Sequence, residues 1–456
     1  MKAHIRTYGC QMNVRDSEAV SALLLGCGYE IVQDEAEADV IIVNTCSVRD
    51  NAENKALGKL RELIYSRRDH PGRIVGAIGC MAQRAREELF TKAKGLDFAI
   101  GPRRLASLPS VIETVRRGEG PVLDVLETEE RHESLSGHSN TGVTAFVTVV
   151  EGCSRGCTYC VVPAARGPET SRPIEHILTE TRSVVSAGAV DITLLGQSVA
   201  SYGRRTSSAV FDQHTSPLGL KEPFPRLLES VSQIPGIKRL RFISNHPSGI
   251  TDELITVMRH TPSVCEHIHL PLQSGSDRLL GLMNRGYSVA EYRDAVHRLR
   301  SSIPGLAVTT DIIVGFPTET ESDFNATRSF MEEIQFDNSY IFKYSPRPRT
   351  TAARWPDDVS QETKLIRNRI ILEDQDRVGL RINQKLIGHE VEVLIEGTSL
   401  RNSTRWSGRT RTGKIVIVEA VDTMSGPCMA MVRIERAMPQ TLYGTVIRHV
   451  ASSGIE

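Results

Sequence analysis

The stretch Glu151-Gly-Cys153-Ser-Arg-Gly-Cys157-Thr-Tyr-Cys160 places three cysteines within eight residues, in the spacing C-x3-C-x2-C. Thiolates so close along the chain can hold one face of a metal centre. A closed structural zinc site wants four protein ligands, so three leave a coordination position open. A [4Fe–4S] cluster with one free iron corner suits three cysteines and leaves that corner for a small ligand. The alternative is a zinc knuckle completed by a distant residue such as His176. Either centre needs a rigid scaffold to present it.

Residues 1–118 alternate apolar runs with helical patterns. Residues 5–8, 39–46 and 73–80 read as strands, and residues 17–26, 51–67 and 83–92 as helices. That alternation predicts an open parallel α/β sheet with helices on its faces. Cys10, Cys46 and Cys80 each fall at the carboxyl end of one of these strands. Strand ends of this kind share one rim, where ligands bind. Three thiolates distant in sequence are therefore expected to converge on a second three-cysteine site, again with an open position. The alternative is three unrelated cysteines buried as small hydrophobes. Cys27, Cys265 and Cys428 show no such register and read as structural or incidental.

Residues 127–141 are polar and aperiodic, which marks a linker. Residues 145–150 form a strand leading into the cysteine loop. Strand patterns recur at 192–195, 239–243, 267–270, 308–314 and 338–344, with helical patterns at 175–187, 224–233 and 289–301. They predict a partial (β/α)6 barrel over residues 139–377, with its chemistry at the carboxyl ends of the strands. Those ends carry Gly196-Gln197-Ser198, Asn245-His246-Pro247, Gln273-Ser274-Gly275 and Gly315-Phe316-Pro317. Such a set suits a polar small molecule, with Gln197 and Gln273 able to bond a ribose or amino-acid group. Residues 203–223, rich in Ser, Arg and Pro, read as a mobile loop.

Residues 380–449 show strand composition at 391–396, 414–419, 430–435 and 441–446, which predicts a small antiparallel β-barrel. Between Glu396 and Glu419 there is no acid, while Arg401, Arg405, Arg409, Arg411 and Lys414 occur around Trp406. Cations for phosphates beside a ring for bases suit RNA, the plain alternative being a solvated loop.

With 456 residues, 40% apolar and 24% charged, the chain has the make-up of a globular protein of several domains. No apolar run nears the roughly 18–20 residues needed to cross a bilayer. The first residues, Met1-Lys-Ala-His-Ile-Arg-Thr-Tyr8, read as a charged strand start and not a signal peptide. Nine cysteines without such a signal favour reduced thiols and metal ligation, so the cytoplasm is the expected compartment. The formal net charge is zero, so a nucleic acid would have to be met by a local patch.

Along essentially its whole length the chain resembles the methylthiotransferase family of radical S-adenosylmethionine (SAM) enzymes. The resemblance rests on the cysteine loop, with Tyr159 at its aromatic position, and on residues 152–163. It also rests on Thr7-Tyr-Gly-Cys-Gln-Met-Asn13, Asn44-Thr-Cys-Ser-Val-Arg49, Arg166-Gly167, Ser171-Arg-Pro173 and Asp311-Ile-Ile-Val-Gly-Phe-Pro317. The Gln-Met-Asn run after Cys10 is similar to the branch that acts on N6-dimethylallyladenosine in tRNA. Three stretches depart from that branch. Ala164-Ala165 stand where Tyr-Thr is common, Arg349-Thr350-Thr351 where Gly-Thr-Pro is usual, and Thr412-Gly413 in place of an Asn pair.

The resemblance implies an N-terminal methylthiotransferase domain, a radical-SAM core and a C-terminal TRAM domain. It implies two [4Fe–4S] clusters. The catalytic one, on Cys153, Cys157 and Cys160, would bind and reductively cleave SAM, and the one on Cys10, Cys46 and Cys80 would supply or carry sulfur. A second SAM would give the methyl group. The implied target is carbon 2 of an adenine beside the anticodon, an unactivated C–H bond that offers a base no acidic proton. Tyr159, Gly196, Gln197, Gln273 and Ser274 are then expected at the SAM pocket. Arg401, Arg405, Trp406, Arg409, Arg411 and Lys414 are expected on the tRNA anticodon stem-loop. An electron donor such as a flavodoxin or ferredoxin, a sulfur donor and a monomeric state complete the expectation. Within the family the alternative acceptors are threonylcarbamoyl-adenosine in tRNA or a ribosomal-protein residue. Outside it the alternative is a non-enzymatic, metal-dependent RNA-binding protein.

Overall fold

The computed structural model describes residues 1–47, 50–126, 135–139, 142–204, 216–399, 401–419 and 426–450. The first body is a parallel sheet of β1 (Lys2–Tyr8), β2 (Glu30–Ile31), β3 (Val40–Thr45), β4 (Ile74–Gly79), β5 (Phe98–Ile100) and β6 (Val122–Asp124). Its strand order is β2-β1-β3-β4-β5-β6, covered by α1 (Gln11–Gly26), α2 (Asp50–Ser66), α3 (Cys80–Ala85), α4 (Glu87–Lys92) and α5 (Leu108–Arg116). Every residue of β3 and β4 is buried, as parallel strands covered on both faces require. One face packs Ile41, Val43 and Val75 on Leu60, and the other packs Val40, Ile42 and Ile78 on Leu24 and Ile112.

The chain reverses its direction of winding between β1 and β3, so a crevice opens there outside the carboxyl ends. The sheet takes in β2, β5 and β6 beyond the three expected strands, and β6 lies past residue 118. These strands are two or three residues long, too short to show a period. The single helix expected at 83–92 is two helices, broken at Arg86 with φ +50°.

The second body begins with β7 (Thr144–Thr148). Short strands β8 (Val150–Glu151) and β9 (Thr170–Ser171) then bracket the cysteine loop and α6 (Val162–Arg166). The barrel continues through α7 (Ile174–Ser186), β10 (Asp191–Leu195), α8 (Pro223–Ser232), β11 (Arg239–Phe242), α9 (Asp252–His260) and β12 (His267–His269). It closes with α10 (Asp277–Leu282), α11 (Val289–Ser302), β13 (Ala307–Val314), α12 (Glu321–Ile334), β14 (Asn338–Lys343) and α13 (Gln361–Gln384). The six barrel strands form two parallel trios, β7-β10-β11 and β12-β13-β14. The bridge Leu240↔Val264 and the bond from Cys265 N–H to the Leu240 carbonyl (3.0 Å) join them. This is an open (β/α)6 barrel around one core that includes Val147, Ile192, Leu240, Ile268, Val308 and Phe330. Of the loop expected at 203–223, residues 205–215 lie outside the described residues, as do 127–134 and 140–141 of the expected linker.

The third body is a closed barrel of β15 (Glu390–Ser399), β16 (Asn402–Thr410), β17 (Ile415–Glu419), β18 (Cys428–Ala437) and β19 (Thr441–His449), in the order β15-β16-β17-β19-β18. Its β17–β19 pair is parallel, so the barrel is antiparallel in its other pairs only.

The turn after β16 docks on the amino-terminal ends of the large barrel's strands. Arg239, at the start of β11, donates to the Arg409 carbonyl (2.6 Å), and Arg241 to the carbonyls of Thr410 (2.9 Å) and Arg411 (2.8 Å). Arg411 returns both arms to Glu266, just before β12, at 2.8 Å, and donates to the carbonyls of Pro262 and Val264. Lys414 pairs with Asp337, just before β14, at 2.7 Å, with both side chains nearly buried. Arg411 and Lys414 therefore hold two domains together, which corrects the expectation that they face RNA. Lys414→Met leaves the Asp337 carboxylate without its cation, a loss of about 3 kcal/mol. Calorimetry should show the C-terminal barrel melting earlier than in the parent; an unchanged profile would disprove the pin.

Candidate metal centres

Cys10 caps α1 just past β1, Cys46 follows β3, and Cys80 opens α3 just past β4, so all three stand on the rim flanking the crevice. Two fully buried asparagines set them there. Asn13 donates to Asn44 Oδ1 (3.0 Å) and to the Thr45 carbonyl (3.3 Å), while its own Oδ1 accepts from the Cys10 N–H (3.3 Å). Asn44 donates back to the Asn13 carbonyl (2.8 Å) and to Ser17 Oγ (2.9 Å). Gly79 has φ +94°, and a Cβ there would sit 2.5 Å from Asn44 Oδ1, so only glycine delivers Cys80. The motifs around Cys10 and Cys46 thus carry positioning residues as well as thiols.

A hydrogen bond with the Cys46 thiol, aided by Arg166, holds the Cys10 thiol well below its ordinary range despite burial. Burial raises Cys80, with the Arg166 guanidinium beside it pulling the other way. Arg166 comes from α6 in the other domain and pairs with Asp16 at 2.5 Å. One cation therefore sits against two of the three N-terminal thiols.

The second set lies in the loop that the β8–β9 ladder closes, with Val150 opposite Ser171 and Glu151 opposite Thr170. Gly152 has φ +71°, and a Cβ there would lie 2.2 Å from the Pro168 carbonyl oxygen, so a side chain would force the loop open. The far side is tied to the loop after α10. Thr158 N–H donates to the Met283 carbonyl (3.1 Å), and Asn284 Nδ2 donates to the Gly156 carbonyl (2.8 Å). Two donors aim at sulfur: Arg155 N–H at Cys153 Sγ (3.5 Å) and Arg285 Nη1 at Cys157 Sγ (3.2 Å). His246 Nε2 donates to the Arg285 carbonyl (3.0 Å), and burial, with Arg285 alongside, holds this imidazole neutral, its pKa down to about 3. Burial raises Cys153 and pushes Cys160 up to about 12. Deprotonation of these thiols is thus left to a bound metal, whose own charge dominates such a site.

Both donor sets fit an iron–sulfur cluster with a free corner: three thiols, with N–H donors or a guanidinium directed at sulfur, and no fourth ligand identified among the described residues. Among the described residues no three His, Cys, Asp or Glu side chains close to the spacing of a single ion. A zinc ion with Zn–S near ~2.3 Å would draw them tighter. His176 is exposed on α7 and joins no such group.

Along the barrel rim, Gly196 packs so close to β8 that a Cβ would meet the Val150 carbonyl oxygen at 3.1 Å. Among the described residues, Gln197 Oε1, Ser198 Oγ and Asn245 Oδ1 are buried without a hydrogen-bond partner, on loops joined by the bond from Val199 N–H to the Ser244 carbonyl (3.2 Å). Buried polar atoms demand partners, and these can accept from or bond to the hydroxyl and ammonium groups of a SAM-sized ligand. Ser198 and Asn245 belong to the rim motifs but stood outside the expected contact set. Gln273 is buried with φ +76°. Ser274 Oγ lies 3.3 Å from Thr327 Oγ1 and accepts from Ser276 N–H (3.2 Å), so its hydroxyl serves helix packing. Tyr159 packs on the apolar cluster of Leu279, Met283, Phe316 and Tyr344, supporting the loop from below. Trp406 packs on the small barrel's core. Arg401 is exposed, and Arg405 and Arg409 make surface ion pairs with Glu419 (2.8 Å) and Glu396 (3.2 Å). Such pairs are worth about 0–1 kcal/mol, so a phosphate can displace them.

The family models match three segments: Uncharacterized protein family UPF0004 over residues 2–101, the Radical SAM superfamily over 147–331 and the TRAM domain over 384–447. A tRNA-2-methylthio-N(6)-dimethylallyladenosine synthase of Akkermansia muciniphila is 41% identical over 97% of this chain and 98% of its own length. Its namesake from Moorella thermoacetica is 42% identical over 97% and 98%. The chain belongs to the tRNA-2-methylthio-N(6)-dimethylallyladenosine synthase family. The fold is also that of a radical S-adenosylmethionine methyltransferase, TsrM, from Kitasatospora setae, solved with cobalamin and a [4Fe-4S] cluster bound. There the TM-score is 0.56 at 13% identity, covering 77% of this chain and 74% of the other.

A buried clasp joins the two family segments that carry the two three-cysteine sets. Glu180 of α7 accepts from Arg15 of α1 (3.0 Å), Arg172 (2.7 Å) and His138 (2.9 Å). Burial opposes both charges, but the bonds to Glu18 and Glu180 raise His138, and those from His138, Arg172 and Arg15 lower Glu180. The raised His138 stabilises the fold fully below the ordinary imidazole value of 6.5 and loses that contribution as pH rises through its folded value. The lowered Glu180 contributes fully above 4.5 and fades as pH falls through its folded value. Thermal unfolding across pH should therefore show the clasp strongest between those limits, and His138→Gln should flatten the alkaline fall. A variant that keeps the parent's alkaline slope refutes this assignment.

Proposed function

We propose that this chain adds sulfur and then a methyl group at carbon 2 of N6-dimethylallyladenosine beside the anticodon of tRNA. The observation that carries this reading is the pair of open three-thiol sites on neighbouring rims, joined by Arg166. A [4Fe–4S] cluster on Cys153, Cys157 and Cys160, with SAM on its open corner, would supply one-electron cleavage strong enough for an unactivated C–H bond, and one on Cys10, Cys46 and Cys80 would supply sulfur.

The chain's own groups do the rest. Arg285 and the Arg155 N–H stabilise negative sulfur at Cys157 and Cys153. Neutral His246 holds the Arg285 backbone in place without adding a competing cation. Gln197, Ser198 and Asn245 orient the SAM ribose and amino-acid groups, and Gly196 lets them approach. The target base leaves its single-stranded stack for about a few kcal/mol. Arg401, Arg405 and Arg409 meet RNA phosphates. The docked end of the small barrel lies at the opposite end of the strands from the thiols. Eight residues of β13 separate the two, roughly 26 Å at ~3.3 Å per residue. An RNA arm, longer than a single nucleoside, is needed to touch both. A flavodoxin or ferredoxin as electron donor, a separate sulfur donor and a working monomer complete the proposal. No helix among the described residues is long and apolar enough to cross a membrane.

Anaerobic reconstitution should give about eight irons per chain, and the triple change of Cys10, Cys46 and Cys80 to Ala about four. That variant should still cleave SAM after reduction yet form no methylthio nucleoside on tRNA. Parent enzyme that leaves digested tRNA free of the methylthio nucleoside would overturn the reading. Arg405→Ala with Arg409→Ala should weaken tRNA binding and reduce its salt slope by about 1–2; an unchanged slope would remove these residues from the interface.

A further inference from the structure

A cavity of about 370 Å³ opens where the sheet domain meets the large barrel. Among the described residues its lining includes Arg86, Arg103, Arg166 and Arg349, with Gln83 and Leu126 and no carboxylate; Arg86 donates to the Leu126 carbonyl and Arg103 to the Pro168 carbonyl. The opposite wall is small: Pro163, Ala164 and Ala165 of α6, then Gly167 and Pro168. Helices that begin at or near both cysteine sets wall it: α3, which starts at Cys80, supplies Gln83, and α6, which starts two residues after Cys160, supplies Pro163 to Arg166.

Arg349 decides what this space can hold. It is exposed, and it takes φ +70°, a left-handed conformation that disfavours every residue with a side chain. Such a conformation persists only where the surrounding structure holds it, and positions of this kind cluster at ligand sites. Its turn is fixed to the catalytic loop and to the sheet domain. Ala352 N–H donates to the carbonyl of Thr158, between Cys157 and Cys160, at 2.8 Å, and Arg347 lies 3.9 Å from Glu53 of α2.

We propose that this cavity is a phosphodiester subsite, which takes a backbone phosphate of the RNA strand next to the target nucleoside. The proposal rests on the tRNA reading above and names the part of the site that grips the strand. A guanidinium offers a planar fork of donors that matches phosphate oxygens. The small wall leaves volume for the attached sugar. Arg166, held by Asp16, faces both this cavity and the N-terminal thiols, so a phosphate seated here places its nucleoside beside them.

The test uses the reconstituted full chain and a synthetic RNA stem-loop, with binding read by fluorescence anisotropy over a salt series. Arg349→Gly removes the cation and relieves the strained backbone, so its melting temperature should equal or exceed the parent's. Its Kd should rise about tenfold, the loss of one charge-assisted hydrogen bond, and its salt slope should fall by about 0.7–0.9. Ala164→Tyr should raise Kd by filling the cavity and, because it expels the phosphate, should lower the slope as Arg349→Gly does. Arg369→Ala, on the exposed face of α13, should change neither. Inorganic phosphate alone should compete only weakly. Parent-like Kd and slope in Arg349→Gly, or competition by free phosphate as strong as by RNA, would overturn the subsite. Binding is read without turnover, so this failure is separate from a missing methylthio nucleoside.

Discussion

A single buried cation, Arg166, ties the two halves of the chemistry together. It closes a helix of five residues that starts just after Cys160, and it reaches Asp16 and the thiols of Cys10 and Cys80 in the other domain. Removing an arginine from water is unfavourable unless it finds opposite charge. Here it finds a carboxylate and thiols that gain negative charge when they ligate metal. The pairing therefore fixes the separation of the two cysteine sets as well as their charge. The Arg15–Glu180–Arg172 clasp repeats the logic farther out, between α1 and α7. Two domains that each bring three ligands can share one substrate only if their relative placement is rigid, and buried ion pairs of fixed geometry supply that rigidity.

The large barrel separates binding from chemistry by using its two ends. The thiols and the buried oxygens of Gln197, Ser198 and Asn245 stand at the carboxyl ends of the strands. The small barrel is bolted to the amino ends through Arg239, Arg241, Arg411 and Lys414. Loops at carboxyl ends are free to vary without disturbing the core, whereas the amino ends are free to serve stability. The cations near Trp406 divide accordingly: Arg411 and Lys414, at the turn, hold domains, and Arg405 and Arg409, along the strand, lie at the surface.

Much of this was legible from periodicity and spacing. Residues 40–43 and 74–78 are short apolar runs, each followed two or three residues on by a cysteine, so both the strands and the shared rim follow from them. The C-x3-C-x2-C loop carries its own ligand geometry within eight residues. The strands β2, β5 and β6 escaped because two or three residues cannot display alternation. The break at Arg86 escaped because its left-handed backbone has no local compositional mark. Ser274 read as a pocket residue because its neighbours are polar, yet its hydroxyl turns to Thr327, far along the chain. Arg411 and Lys414 read as an RNA patch because the carboxylates that neutralise them, Glu266 and Asp337, come from another domain.

The order of residues alone pointed to the chemistry: three thiols inside one short loop, three more each just past a strand, and three bodies that follow one another. Those properties are local or periodic, and a linear string records them. Tertiary structure alone decided how far apart the groups stand, which arginines still face solvent, and that Arg166 and Arg349 meet at one cavity. Those depend on contacts between residues separated by a hundred positions or more, and no local pattern encodes which distant charge a side chain will find.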